Sequence, residues 1–269
     1  MRLVASDLDG TIIGPDNRIS DRTVAAFRRA AAAGVHIVFV TGRPPRWLGP
    51  LRRQIGHEGT VICSNGAVTY DLRNDTVLDA RAVPLPDVFA AADIIRGLYP
   101  AARFAAESLQ GFHLEPGFLE HATAERLGDI QPAPLAETLG RDTPVVKFLT
   151  KVDGVSPDEL LAKVRPAVAG LVSATHSAPG MPLLEMAAPG LDKAVTLAEY
   201  AKALEIDRAD VVAFGDMPND IEMLSWAGRG YAMASGHPDA LAAADRSAPA
   251  FAEDGVAQVL ERLLDRAQA

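Results

Sequence analysis

Asp7-Leu8-Asp9-Gly10-Thr11 follows the short apolar run Leu3-Val4-Ala5. It sets two carboxylates two residues apart at the end of an extended segment, where side chains at i and i+2 project to one side. Gly10 lets the chain turn sharply, and the Thr11 hydroxyl can brace that turn. Like charges this close require a cation, or a proton on one of them. The arrangement suits metal-assisted chemistry in which one carboxylate attacks and the other moves a proton. A surface Asp-Gly turn is the plain alternative.

Further segments complement the pair. Thr41-Gly42-Arg43 follows the run His36–Val40, Ser64-Asn65-Gly66 closes the run Val61–Ser64, and Gly215-Asp216-Met217-Pro218-Asn219-Asp220 follows Val211–Phe214. Lys193 stands near the start of the helix that leads into that last run. Hard oxygen ligands select Mg²⁺. Asp216 and Asp220, at i and i+4 of a helix start, reach one point from one side. With Asp7 and Asp9 they form a four-carboxylate cluster expected to hold Mg²⁺. Asp7 is the expected nucleophile toward a phosphoryl group, and Asp9 the expected acid/base. Thr41, Lys193 and backbone N–H groups would hold the phosphoryl oxygens. Gly42, Arg43, Asn65 and Asn219 are further candidates for phosphate binding.

Each of these has a plain reading. Thr41-Gly42 also fits a strand-ending turn, and Arg43 a residue that closes the strand end. Asn65-Gly66, between Val61–Ser64 and Ala67–Tyr70, fits a hairpin turn as well as a phosphate contact. Asp192 and Lys193 also fit a solvated ion pair. Asp216 and Asp220 also fit a helix N-terminus favoured by the dipole.

The elements needed to bring these groups together are legible. Leu3–Ser6, His36–Val40 and Val61–Ser64 read as strands. A helix is expected over Ser20–Ala33, with Ser20 as N-cap and Gly34 as its stop. Another is expected from Pro44 or Pro45 to about Ile55. Past Pro84 the pattern shifts to a helix over Pro86–Tyr99, short strands near 103–106, 112–115 and 145–150, a helix over Pro157–Val168, and strands near 171–175 and 182–186. After Gly190 the alternation returns: a helix over Asp192–Leu204, a strand at Val211–Phe214, a helix over Pro218–Ser225, a small strand at Tyr231–Met233 and a terminal helix over Gly255–Ala267. The fold class is therefore α/β: a doubly wound, mostly parallel sheet core (residues 1–83 and 190–269) with an inserted α+β cap domain (84–189).

Composition bounds the function. The chain has 269 residues, 48% hydrophobic and 23% charged, with a net charge of −9. That balance opposes nucleic-acid and membrane-surface binding but permits an anionic substrate beside a metal and a lysine. The lone cysteine, Cys63, excludes an intrachain disulfide, and the histidines show no zinc-type pairing. With no signal-peptide pattern and no apolar run of about 18 residues, a cytoplasmic protein is expected.

Asp-Leu-Asp-Gly-Thr, the Thr41-Gly42-Arg43 strand end, Lys193, and Gly215-Asp216 with Asn219-Asp220 resemble the four motifs of the haloacid dehalogenase superfamily of phosphohydrolases. Ile62-Cys63-Ser64-Asn65-Gly66-Ala67 and the spacing of the inserted module resemble its Cof-like branch, which carries a large α/β cap. The resemblance spans the whole expected core. It implies a Mg²⁺-dependent phosphatase that acts through an aspartyl-phosphate on a small phosphorylated metabolite, a sugar phosphate or similar. Two departures stand out: Ala194 follows the motif lysine where the family often has Gly, and Ala234-Ser235-Gly236 follows Met233 where it often has Gly-Asn-Ala. A phosphosugar mutase using the same intermediate is one alternative, although Met217-Pro218 lacks the Gly-rich insertion of the mutases that resemble this fold. A catalytically idle phosphometabolite-binding protein is another, although all the expected acids are present.

Overall fold

The computed structural model describes residues 1–119 and 130–268; residues 120–129 of the expected cap lie outside them. The chain divides into two compact units, Met1–Asp79 with Asp192–Ala269, and Ala80–Leu191. In chain order the described strands are β1 (Leu3–Ser6), β2 (His36–Val40), β3 (Thr60–Cys63), β4 (Val68–Asp71), β5 (Thr76–Ala80), β6 (Arg103–Ser108), β7 (Phe112–Leu114), β8 (Val145–Lys151), β9 (Ser173–Thr175), β10 (Leu183–Ala187), β11 (Val211–Gly215), β12 (Arg229–Met233) and β13 (Arg246–Ala248).

The first unit carries an eight-stranded sheet in the order β13-β12-β11-β1-β2-β3-β4-β5. β13 through β3 run parallel, and β4 turns back antiparallel to β3. Its central strands are apolar without alternation because both faces are covered. Leu3, Ala5, Val38, Val40, Val211 and Ala213 pack with Leu197, Met223 and Leu224, which come from the helices Lys193–Ala203 and Ile221–Trp226. On the other face Phe39 meets Phe27 of the helix Asp21–Ala32, ring centroids 5.2 Å apart. Ser20 caps that helix by accepting the Thr23 amide, as its position suggests. Surface ion pairs Arg22–Glu261 and Arg29–Asp265 tie it to the terminal helix Gly255–Gln268.

Two expected helices of this unit differ. The segment after Thr41-Gly42-Arg43 forms a 3₁₀ turn over Pro45–Trp47 and a π-helical turn over Leu51–Ile55 in place of one helix. Pro50 between them has no amide proton to continue an i→i−4 ladder. Pro218–Asp220 is likewise a 3₁₀ turn, and the α-helix proper covers only Ile221–Trp226.

The second unit is an antiparallel sheet in the order β7-β6-β8-β10-β9. Phe104, Phe148, Leu184 and Met186 point from one face onto Val88, Ile95, Leu160 and Val164 of the helices Leu85–Leu98 and Pro157–Ala167. Phe104 and Phe148 stack at 5.3 Å. Buried Glu115 accepts from Arg96 and from the Phe104 amide, so its charge is paired inside the unit. Among the described residues no helix is long and apolar enough to cross a membrane.

Candidate active site

Sheet register levels the strand ends. Ser6 lies opposite both Phe214 and Phe39, and Val40 lies opposite Ile62. The residues that follow, Asp7, Gly215-Asp216, Thr41 and Ser64-Asn65, therefore emerge along one edge, where open α/β sheets bind ligands. The Asp7 amide donates to the Phe214 carbonyl at 2.9 Å, which continues the β1–β11 ladder into the motif.

Lys193 is the hub. It begins a helix whose N-cap, Asp192, accepts the Val195 amide at 2.9 Å. Gly66, at φ +100°, lets the helix start press against the β3–β4 turn: a Cβ there would overlap the Asp192 carbonyl oxygen. Thr196 Oγ1 donates to the Gly66 carbonyl at 2.8 Å and holds that contact. The fully buried Lys193 Nζ then reaches Asp7 Oδ1 at 2.5 Å and Asp220 Oδ1 at 2.6 Å. It is not a solvated surface pair with Asp192.

Asp220 has both oxygens hydrogen-bonded. Its Oδ2 accepts the backbone amides of Asp216 and Met217, both at 3.0 Å, while Oδ1 takes Lys193. Asp216 precedes the 3₁₀ turn, so these two acids meet because the loop folds back on itself rather than because they share a helix face. Asp216 Oδ1 accepts from Thr11 Oγ1 at 2.9 Å. The Thr11 hydroxyl thus links the first motif to the last instead of bracing its own turn. Gly10, at φ +79°, permits the approach, since a Cβ would fall on Asp216 Oδ2.

Asp9 does not join this cluster. Its side chain is 55% exposed and faces Arg43, which donates through Nε to Oδ2 at 2.7 Å and through NH2 to Oδ1 at 2.5 Å. Arg43 also donates to Asn17 Oδ1 and to the Trp47 carbonyl. The sequence carries no signal for Asn17 and Trp47 beyond their proximity to the motifs. Thr41 is buried, and its Oγ1 accepts the Arg43 amide at 3.0 Å, so the strand-ending turn is present and the hydroxyl proton stays available. Gly42 lies between them in the same turn. Asn65, in the left-handed region at φ 57°, turns the chain from β3 into antiparallel β4, which makes the hairpin. Its Oδ1 accepts from Asn219 Nδ2 at 3.0 Å. Asn219 Oδ1 and Ser64 Oγ are buried without a hydrogen-bond partner.

Burial pushes the Asp7 carboxyl well above the usual range; Lys193 pulls it down, and the charges of Asp220, Asp216 and Asp9 push it up again. Burial and the Asp220 charge raise Asp216 to about 7, against the Thr11 hydrogen bond. Burial alone would lower Lys193, but Asp220 and Asp7 raise it above its ordinary value, so it stays charged. Oxygens of Asp7, Asp216 and Asp220 lie within 4.8 Å of one another. An all-carboxylate donor set that resists ionisation fits a hard divalent cation, which would relieve the repulsion.

A family model described as haloacid dehalogenase-like hydrolase matches residues 4–260. The 5-amino-6-(5-phospho-D-ribitylamino)uracil phosphatase of Bacillus subtilis is 29% identical, over 96% of this chain and 96% of that protein. The pyridoxal phosphate phosphatase of Escherichia coli is 27% identical, over 86% and 87%. The fold is that of a haloalkanoate-superfamily phosphatase from Bacteroides thetaiotaomicron, with a TM-score of 0.82 at 24% identity, covering 97% of this chain and 94% of that one.

Proposed function

Because the chain belongs to the haloacid dehalogenase-like hydrolases, in their Cof-like branch, we propose that it is a cytoplasmic, Mg²⁺-dependent phosphatase that hydrolyses a small phosphorylated metabolite through an aspartyl-phosphate on Asp7. The observation that carries the reading is Lys193 Nζ clamped between Asp7 and Asp220, with Asp216 beside them. The uracil and pyridoxal compounds in the relatives' names are phosphate monoesters of small metabolites, which supports the substrate class.

Asp7, Asp216 and Asp220, whose oxygens lie within 4.8 Å of one another, would hold the metal. Bound Mg²⁺ supplies Lewis-acid polarisation of the phosphoryl oxygens. Lys193 fixes Asp7 Oδ1 and so aims the other oxygen at phosphorus. Asp7 forms the new P–O bond as the ester P–O bond breaks, and Asp9 gives its proton to the leaving oxygen. Asp9 then takes a proton from the water that opens the acyl phosphate and frees Asp7. Thr41, with its hydroxyl proton unspent, and the amides of the strand ends receive the phosphoryl charge, with Gly42, Asn65 and Asn219 along the same edge.

Phosphate release from a panel of phosphorylated metabolites, with Mg²⁺ and with chelator, tests the reading. Asp7→Asn should lower turnover by about 10⁴-fold or more while circular dichroism shows a folded protein. Substantial Mg²⁺-dependent turnover by that variant would overturn the assignment.

A further inference from the structure

Gln54 and Asn17 lie outside the motifs, yet in series they reach the guanidinium that grips Asp9. Gln54 stands in the π-helical turn Leu51–Ile55, whose Leu51 and Ile55 are buried. Its carboxamide spans the loop that follows the acid motif. Nε2 donates to the Asn17 carbonyl and Oε1 accepts the Ile19 amide, both at 2.8 Å. Donor and acceptor are both used, which suits an amide and no simple charged or apolar side chain. The loop also closes on itself: the Asn17 amide donates to the Gly14 carbonyl at 2.9 Å, and the Gly14 amide to the Arg18 carbonyl at 3.0 Å. Asn17 holds a left-handed φ of 59°, which Asn tolerates better than most residues. Its Oδ1 accepts from Arg43 NH2 at 2.8 Å.

We propose that Asn17 and Gln54 are positioning residues for proton transfer: they fix Arg43, and Arg43 fixes the plane of the Asp9 carboxyl for the leaving oxygen. The proposal rests on the phosphatase reading above. An Asp carboxyl turns about a broad torsion with no staggered well to hold it, and that of Asp9 is 55% exposed. Its plane is therefore set by what it is bonded to. The Arg43 fork takes one N–H to each Asp9 oxygen and leaves each a second lone-pair side, one of which carries the proton. As that proton passes to the ester oxygen and the P–O bond breaks, the carboxylate charge forms against the guanidinium; the attacking water returns the proton. A fork that swung with its carboxyl would set no direction. Asn17 Oδ1 and the Trp47 carbonyl tie the guanidinium to two further segments, and Gln54 holds the Asn17 backbone in place.

The test measures kcat and KM for para-nitrophenyl phosphate and for the alkyl esters of the metabolite panel in one Mg²⁺ buffer. Asn17→Gly keeps the left-handed backbone and removes the acceptor. It should lower kcat for the alkyl esters about 5-fold at nearly constant KM, and for the aryl ester by less than about 2-fold, because nitrophenolate leaves without a proton. Asn17→Asp keeps an oxygen for Arg43 and should restore most of the alkyl turnover. Gln54→Leu should show the same split as Asn17→Gly. Asn17→Gly added to Arg43→Gln should cost no more than Arg43→Gln alone, since the two act on one path. Melting curves show whether each variant is folded. An unchanged alkyl-to-aryl ratio in Asn17→Gly or Gln54→Leu, equal losses for both ester classes, no rescue by Asn17→Asp, or additive losses in the double variant overturns the proposal and leaves the phosphatase reading standing. Absence of wild-type turnover of every alkyl ester overturns the phosphatase reading itself, and the proposal with it.

Discussion

Asp7 and Asp9 are two residues apart and each binds a cation, yet they end in opposite electrostatic settings. Asp7 is buried against a fully buried Lys193, which a second buried acid, Asp220, holds from the far side. Asp9 stands in solvent against Arg43. Buried groups with saturated hydrogen bonds are fixed dipoles that need no reorganisation when charge develops. In the second pair Arg43 is only 12% exposed while Asp9 is 55% exposed, so Asp9 is the member open to water. The first setting suits a group that must keep its aim, the second a group that must give up and regain a proton in each turnover. One pentapeptide supplies both because Asp7 continues the sheet ladder while Asp9 lies past it, in the turn.

Lys193→Met is the strongest way to break this comparison. It leaves Asp7 and Asp220 buried without their cation, so it should cost about 3–5 kcal/mol of stability in denaturant titrations and remove most activity. Adding Asp220→Asn should recover part of the stability and none of the activity. A Lys193→Met protein as stable as the wild type would mean the cluster is not electrostatically closed.

How much of this was readable beforehand varied by element. β1, β2, β3 and β11 each announce themselves as an apolar run ending in a polar motif, so the site edge and its acids followed from the order of the chain. β13 is not legible in the sequence because Arg246-Ser247-Ala248 has one apolar residue, and its pairing comes from its neighbour β12. The break at Pro50 needed more weight than the helix signal of Pro44-Pro45. Asp220 read as one acid among four; its hydrogen bonds to the amides of 216 and 217 exist only once the loop has closed. Arg43 read as a phosphate binder, but its guanidinium goes to Asp9, Asn17 and the Trp47 carbonyl, a choice set by three-dimensional proximity that no spacing encodes.

Asp216 sharpens the comparison through pH. Its carboxyl rises from 3.8 to about 7 in the folded, metal-free protein. The native state therefore binds more protons than the unfolded chain between those values, and stability falls as pH rises through that window. The raised carboxyl of Asp7 acts in the same direction. A divalent ion takes the deprotonated acids, so the rise in melting temperature on adding Mg²⁺ should be larger at pH 8 than at pH 6. At a hundredfold excess of Mg²⁺ over its dissociation constant the stabilisation should be about 2.7 kcal/mol. Asp216→Asn should flatten both the pH slope and the metal response. A Mg²⁺ response that is equal at the two pH values would detach the metal from these acids.

The smallest effect on stability belongs to Arg43→Gln. It should cost less stability than Lys193→Met, because Asp9 is exposed and water can solvate its carboxylate once the guanidinium is gone. Turnover of an alkyl phosphate should fall about 10-fold, and that of an activated aryl phosphate less, since only the poor leaving group depends on the proton from Asp9. A stability loss as large as that of Lys193→Met would erase the distinction between the two settings.

Gly10 carries a consequence for how such a chain can drift. Its Cα stands where any Cβ would fall on Asp216 Oδ2, and its φ of +79° already disfavours other residues. Position 10 contributes no atom to the reaction, yet every substitution there displaces the carboxylate that Thr11 steadies from the next position. Mutational paths through this loop are closed at that point, because the volume a side chain would need is already filled by the Asp216 carboxylate.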